Sequence, residues 1–553
     1  MISDARTLPD ATAIQTDVCI VGGGAAGISL ALGLLRSGYR ILLLESGGET
    51  EEAATQALYE GHVVNPALHS PAESYRQRRF GGTTTIWGGR CVPFDPLDFE
   101  VRPYVPHSGW PIGYEEIARY YPQANRLCEA GVFDYQSETA FTRPLKPMIP
   151  GFDQRHFTTD TLERFSCPTD FHVRYREKLS APNIQVLLHA NLTRIALSAD
   201  GNRVTEVVAS TLSGKSFSVK ATCFVLCTGG LETARLLLAN RDVHGQGIGN
   251  LHDVVGRYYM CHIAGTMGGL RFSIPPKSVW NGYDISDEGI YCRRRLALRP
   301  KVQHHEHVGS FVARLHHPRI TDPSHGNGIL SALYCAKPFI SYEYAKRLFE
   351  DEPQGWQSWG RHLTNVARGV PDIMGFAWHM LRDRKLAARK FPSVVIKSRA
   401  GLYSLDFHAE QMPDPMSRVG LTHEKDQFGM QKIEIDWRYT SQDVHTVKRS
   451  LALLKQDIAE SGVGSFNYDP QSVEKEMIRY GAYGGHHIGT VRMGNSPRTS
   501  VTNSDCRVHG VANLYLAGSG VFPTSSQANP TLTIVALSLR LGDHLQSLDF
   551  SGT

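Results

Sequence analysis

The chain predicts an α/β fold, α+β when all of it is counted. A Rossmann-like sheet is expected in one part, and an antiparallel sheet with helices in another. Three observations predict this. Thr16 to Gly48 runs strand, glycine turn, helix, strand, acid. Ala221 to Leu238 repeats the order, as a buried strand, a Thr-Gly-Gly turn and an apolar helix. Tyr403–Glu410, Ser417–Thr422 and Gln431–Trp437 alternate apolar and polar residues, like antiparallel strands of a separate sheet.

In the opening stretch, Asp17–Val21 is a short β-branched apolar run, suited to a parallel strand buried on both faces. Gly22-Gly-Gly24-Ala25-Ala26-Gly27 follows as G-x-G-x-x-G. Gly22 lets the chain turn sharply. Gly24 leaves room for a pyrophosphate against the backbone, and Gly27 lets the helix pack closely on the sheet. The helix N-terminus offers free N–H groups and the positive end of its dipole. A second strand, Arg40–Leu44, ends on Glu45, 18 residues after Gly27, where an acid accepts hydrogen bonds from a ribose diol. Ser46 comes next. An acid here argues against a 2′-phosphate and leaves NAD and the ADP half of FAD both open.

Composition sets the broad class. The chain has 553 residues, long enough for two lobes; 41% are hydrophobic and 20% charged, as in ordinary globular proteins. A net charge of +4 gives no argument for nucleic acid. The ten cysteines are scattered without a CxxC, so they read as buried thiols and no metal is expected. The N-terminal residues lack a secretory pattern, and no apolar run reaches the length of a membrane span. A cytoplasmic location is the expectation.

Residues 49–75 are polar and without period. Arg78-Arg-Phe-Gly-Gly82-Thr83-Thr-Thr-Ile86-Trp87-Gly88-Gly-Arg90 places two glycine pairs around hydroxyls and a Trp. Such backbone can lie against a flat ring and a phosphate; a plain turn is the alternative. Pro111 and Gly113 precede a helix-period run, and residues 131–170 read as loop. Ile184–Leu188, Ala190–Leu197 and Val204–Thr211 read as strands, with an Asp200-Gly201 hairpin turn. Residues 264–400 carry little pattern. Within them Trp356–Lys390 looks like an amphipathic helix packed on the core, or alternatively an oligomer contact. Thr440–Ser461 is helical, with Ser441 as its expected cap. Near the end stand Gly484-Gly-His486-His487-Ile-Gly-Thr490-Val-Arg492-Met-Gly494, then a strand into Gly518, then Gln527-Ala-Asn529-Pro-Thr531 opening the last helix. His486 can be a structural histidine and Asn529 a helix cap.

Together these pieces resemble the glucose–methanol–choline (GMC) family of FAD-dependent alcohol oxidoreductases. The likeness rests on the glycine fingerprint, the Gly-Gly-Thr stretch before Trp87, the Thr228-Gly229 turn and, above all, H-x-x-G-T-x-x-M-G from His486. Arg492-Met-Gly, the Val508 run and Ala528-Asn529-Pro-Thr point to its pyranose-oxidase branch and the related bacterial glycoside 3-oxidases. The resemblance implies a discontinuous FAD-binding domain (residues 14–100, 185–262 and 495–553) and a substrate-binding domain (101–184 and 263–494). It implies His486 and Asn529 as the catalytic pair. Gly22, Gly24, Ala25, Ala26, Glu45 and Ser46 would lie at the ADP, with Leu192 at the adenine. Gly82, Thr83, Trp87 and Gly88 would lie along the pyrophosphate and flavin ring, Thr228 and Gly229 near the phosphates, Gly518 and Thr531 near the ribityl chain and ring. Some pyranose oxidases hold FAD covalently through a His just before the Trp of this stretch; Ile86 stands there, so FAD is expected to be non-covalent.

The implied reaction oxidises a sugar or glycoside secondary hydroxyl, at C2 or C3, to a ketone. His486 takes the proton and hydride goes to flavin N5. Glu410 and Gln411 are the expected substrate contacts; a solvated strand end is their alternative. O2 or a quinone-type compound would re-oxidise the flavin, and an oligomer is compatible. The competing readings are a GMC enzyme acting on a sterol, aryl alcohol or choline-like compound, an NAD-dependent dehydrogenase, and a non-enzymatic flavin scaffold.

Overall fold

In the computed structural model the described residues are 1–337, 355–393, 395, 396, 398 and 400–548. Residues 338–354 and 549–553, within the ranges expected for the substrate and cofactor domains, lie outside them. Among the described residues the apolar runs near the N-terminus form the middle of an eight-stranded sheet. Its order is Ile2–Asp4, Ile184–Leu188, Ile41–Leu44, Thr12–Val21, Ser216–Leu226, Val204–Ser210 and Asn191–Leu197, with Leu514–Leu516 against the end of Ser216–Leu226. The strands from Ile2–Asp4 to Ser216–Leu226 run parallel; the last two form an antiparallel extension. Ile41–Leu44 is buried at every position, as a strand covered on both faces must be. Gly201, at φ +73°, turns the hairpin between the two antiparallel strands.

Helices pack on this sheet in layers. Ala25–Gly33 leaves the first glycine turn, and the C-terminal Thr531–Ser547 packs against it. Gly27 permits the first of these: a Cβ there would stand 1.9 Å from the Gly22 carbonyl oxygen.

A second, seven-stranded sheet is antiparallel throughout. Its order is Gly464–Asn467, Met260–Phe272, Leu402–Glu410, Phe311–His316, Leu296–Leu298 and Phe157–Thr158, with Tyr483–Ile488 beside Met260–Phe272. Pleating sorts its residues. Leu405, Phe407 and Ala409 enter the second core, under the helix Ser441–Glu460. Asp406 and His408 point to the other face, towards the first sheet.

Several local expectations change. Leu402–Glu410 is central in the large sheet, whereas Arg418–Lys425 and Gln431–Asp436 form a hairpin joined in parallel by Gly61–Val63. The three therefore do not share one sheet, and residues 49–75 contribute a strand. Phe157–Thr158 and Leu162–Phe165 are strands inside the stretch read as loop. Thr440, not Ser441, caps its helix, because its hydroxyl and Asp443 make reciprocal bonds. Trp356–Lys390 divides at Gly369 into Trp356–Arg368 and Val370–His379, and continues as a wider-wound turn to Leu386. It does not pack on the core. Trp356 is 93% exposed and Trp378 60%, while Phe376 and Met380 line the cavity described next.

Candidate active site

A cavity of about 990 Å³ opens between the two sheets. Every residue expected at the cofactor lines it, and so do His486 and Asn529. Glu410 and Gln411 do not. Both are fully buried and committed elsewhere. The Arg102 guanidinium grips Glu410 with bonds of 2.8 and 2.5 Å, and Ser310 N–H donates to the same carboxylate. The Gln411 side-chain oxygen accepts from Cys261 N–H and Trp437 Nε1–H, and its amide donates to the Arg438 carbonyl. The substrate contacts expected from these two are therefore misplaced.

The nucleotide end is built from backbone. Gly24 and Gly82 bring two loops together: a Cβ on Gly82, at φ +54°, would lie 2.9 Å from the Gly24 Cα. Gly88, Gly229 and Gly518 face open space, with nothing within 4 Å of an added Cβ. The helices Ala25–Gly33, Gly230–Ala239 and Thr531–Ser547 all begin on this cavity, and none has a side chain capping its first N–H groups. Open glycines and uncapped helix N-termini suit a diphosphate and its nucleoside. Glu45 sits at the end of Ile41–Leu44 and accepts from Gly23 N–H and Gly47 N–H at 2.8 Å each, tying the glycine turn to the neighbouring strand. Each carboxylate oxygen keeps acceptor capacity for a ribose hydroxyl. These residues fit FAD. Arg78, the first residue of the glycine stretch and given no role from sequence, pairs with Glu232 at 3.2 Å and stacks on the Tyr59 ring beside Arg76. Its position two residues before Phe80-Gly81-Gly82 is the available signal.

At the other end His486 and Asn529 meet. Asn529 does not cap the last helix, which starts at Thr531 after Pro530. Its Nδ2 donates to His486 Nε2 at 3.1 Å. His486 Nδ1 lies 2.7 Å from His262 Nδ1, and His262 Nε2 lies 3.2 Å from the Ser525 carbonyl oxygen. Burial pushes the His262 imidazole down to about 4 and holds His486 well below the usual histidine range, helped by His262 and Arg90. Both rings are therefore neutral at pH 7, with one N–H each. A carbonyl can only accept, so the His262 proton sits on Nε2 and its Nδ1 is an acceptor. The His486 proton must then sit on Nδ1, which leaves the Nε2 lone pair, at the cavity, to accept the Asn529 N–H. Ser525 is itself fixed through Gln411, whose N–H donates to its hydroxyl at 2.9 Å.

The neighbouring histidine turns the other way. His487 Nδ1 meets the Tyr259 hydroxyl at 2.7 Å, and that hydroxyl also contacts His69 Nε2 and Cys261 Sγ. His69, Cys261 and His487 place three ligand-type atoms within 4.8 Å of one another, but the Tyr259 oxygen stands among them as a hydrogen-bond hub. All ten cysteines are free, and eight are buried.

The rest of this end is polar side chain on sheet. Thr266, Asp406 and His408 come from paired strands, joined by Arg90, Arg293, His316 and His317. Leu333, Phe376, Met380 and Ile396 close the remaining side. The sequence places Phe376 and Met380 on a core helix and His408 in the segment of the expected Glu410 and Gln411 contacts, and assigns none of these residues to the wall. The alternation of Leu402–Glu410 held the signal, since Asp406 and His408 share a face with Glu410.

Comparison with known proteins agrees with this layout. Residues 17–326 match the family described as FAD dependent oxidoreductase, and residues 413–538 match GMC oxidoreductase. A 2-methyl-1,2-propanediol dehydrogenase of Mycolicibacterium austroafricanum is 24% identical over 97% of this chain and 96% of its own. A fructose dehydrogenase large subunit of Gluconobacter japonicus is 24% identical over 96% and 97%. A C-glycoside 3-oxidase of Arthrobacter globiformis is 36% identical over 118 residues, 21% of each chain. The solved pyridoxine 4-oxidase from Mesorbium loti superposes with a TM-score of 0.53 at 16% identity, covering 96% of this chain and 99% of that one, a likeness of fold.

Proposed function

The chain belongs to the FAD-dependent oxidoreductases, with a GMC oxidoreductase C-terminal part, and on that premise we propose that it oxidises a sugar or glycoside secondary hydroxyl, at C2 or C3, to the ketone. The observation that carries the reading is the His486–Asn529 contact, set in the same cavity as the nucleotide cradle and beside a polar wall. FAD, when bound, supplies the acceptor for the hydride that leaves the alcohol carbon. It is held without a covalent link, since Ile86 offers no nucleophile.

The chain's own part is positioning and proton transfer. A hydroxyl that takes the place of the direct His486–Asn529 bond gives its proton to the freed Nε2 of His486 and accepts from Asn529 Nδ2, which fixes its pose. The proton already on Nδ1 stays there, bonded to His262. Thr266, Asp406 and His408 offer donors and acceptors to the other hydroxyls of a sugar. The protein works in the cytoplasm, and O2 or a quinone-type compound takes the electrons away.

A second reading has specific support. The diol named for one full-length relative is small and less polar, and Leu333, Phe376, Met380 and Ile396 give the cavity an apolar side. Anaerobic titration of the holoprotein, followed near 450 nm, separates the two. Bleaching by glucose or a glycoside is expected. Bleaching only by a small diol or an aryl alcohol would replace the sugar, and re-admitted air would then tell an oxidase from a dehydrogenase.

A further inference from the structure

Charge is unevenly matched at the substrate end. Arg293 is 6% exposed, lines the cavity and spends one N–H on the Leu315 carbonyl at 2.9 Å. Its guanidinium otherwise lies over the Tyr283 ring, 5.8 Å from the centroid. Arg384 also lines the cavity and donates only to the Phe391 and Pro392 carbonyls. Neither has a carboxylate partner among the described residues. Asp383, next to Arg384 in sequence, is occupied by Arg382 at 2.7 Å and His379 at 2.6 Å.

The carboxylates on this side are already shared. Glu163 pairs with Arg314, and Asp406 reaches the same guanidinium at 3.5 Å. Arg90 approaches Glu163 no closer than 3.6 Å, and its Nε has no hydrogen-bond partner. On this side of the cavity Arg90, Arg293 and Arg384 thus line the wall with no carboxylate in hydrogen-bond contact among the described residues, while Glu163 and Asp406 are drawn to Arg314 behind it. Arginine cannot shed its proton to relieve the imbalance. A buried, unneutralised guanidinium such as that of Arg293 is costly unless something outside the chain answers it; Arg90 and Arg384 are half-buried. The cofactor diphosphate does not fill that role, because the helix N-termini at the opposite end of the cavity provide for it.

Resting on the sugar reading above, we propose that the donor sugar carries an anionic group, a carboxylate or a phosphate, seated on Arg293 and Arg384. A guanidinium fork recognises both oxyanions through paired N–H bonds. This makes charge, beyond the shape of the sugar, a determinant of which hydroxyl reaches His486.

Reductive titration of the holoenzyme tests this with three matched donors: methyl glucoside, methyl glucuronoside and glucose 6-phosphate. An anionic donor should bind about 30-fold tighter or better, the size set by one desolvated charge pair. Which of the two is preferred names the group. Arg293→Gln should bring the ratio of anionic to neutral affinity towards one. Should that variant fail to hold flavin, Arg384→Gln and competition of methyl glucoside by inorganic sulfate on the unaltered enzyme give the same answer. Equal affinity for neutral and anionic donors, with no sulfate competition, overturns the proposal and leaves the sugar reading standing. Bleaching by none of the three donors brings down both.

Discussion

The two ends of the cavity are made of different material. At the nucleotide end backbone does the holding: glycines that leave space, and helix N-termini that leave N–H groups free. At the substrate end side chains from distant strands meet, with His262, His486, Asp406, Arg293 and Asn529 spread over more than 260 residues. Backbone cradles are intolerant, because an added carbon meets either neighbouring backbone, as at Gly82, or the space the ligand needs, as at Gly88. Side-chain walls can be edited one function at a time.

The nucleotide end should therefore give the largest effects. Gly82→Val places carbon against the Gly24 backbone at a left-handed φ, so flavin content should fall to near zero, read as the 450 nm to 280 nm absorbance ratio. Gly88→Leu sharpens the point. Nothing lies within 4 Å of its Cβ and its φ is ordinary, so the fold should keep its melting temperature in the absence of flavin while FAD binding is lost. A Gly88→Leu protein that stays fully yellow would show that this wall does not touch the cofactor.

The proposed base comes next. His486→Ala should keep its flavin, because the ring stands beside the cradle and not within it. Its reductive rate should fall about 10²- to 10⁴-fold, the usual worth of general base catalysis. Stopped-flow bleaching measures it. An unchanged rate would hand the proton to another group.

The same contrast governs what could be read from the sequence. The nucleotide end was legible because its determinants are local: Gly22 to Gly27, Glu45 and Thr228-Gly229 each sit in a strand–turn–helix whose order carries the meaning. His486 and Asn529 were legible only through resemblance, since a histidine before Ile-Gly-Thr and an asparagine before Pro-Thr have bland local readings. The wall was not legible. The alternation of Leu402–Glu410 puts Asp406 and His408 on one face, but only its pairing with Met260–Phe272 makes that face the cavity wall, and no window of sequence contains that pairing. Glu410, the expected contact, lies on the same face but behind the cavity, where Arg102 holds it. Trp356–Lys390 departs from the expected core packing for a related reason: helical period announces an apolar stripe and not what covers it.

The smallest effect should come from His262, a positioning residue that touches neither substrate nor cofactor. Its Nδ1 accepts the His486 proton only because the Ser525 carbonyl keeps its own proton on Nε2. His262→Leu removes that acceptor and frees the His486 tautomer, which should cost about 10- to 100-fold in reductive rate, as lost outer partners do. His262→Gln offers an amide oxygen in its place and should restore most of the rate; a purely packing role would predict the reverse, since Leu fills the space without a polar atom. Acid gives a second readout. The His262 pKa is depressed in the fold to about 4, from an ordinary value of 6.5, so the unfolded chain binds a proton that the folded chain refuses. Its neutral ring contributes full stability above pH 6.5, and that contribution is lost as pH falls through about 4. Melting temperature should decline across that window, less steeply in His262→Leu, with His486, His408 and His487 continuing the decline because burial depresses them in the same direction. Equal acid slopes for the parent and His262→Leu would mean that the ring is not held neutral, and the tautomer assigned to His486 would fall with it.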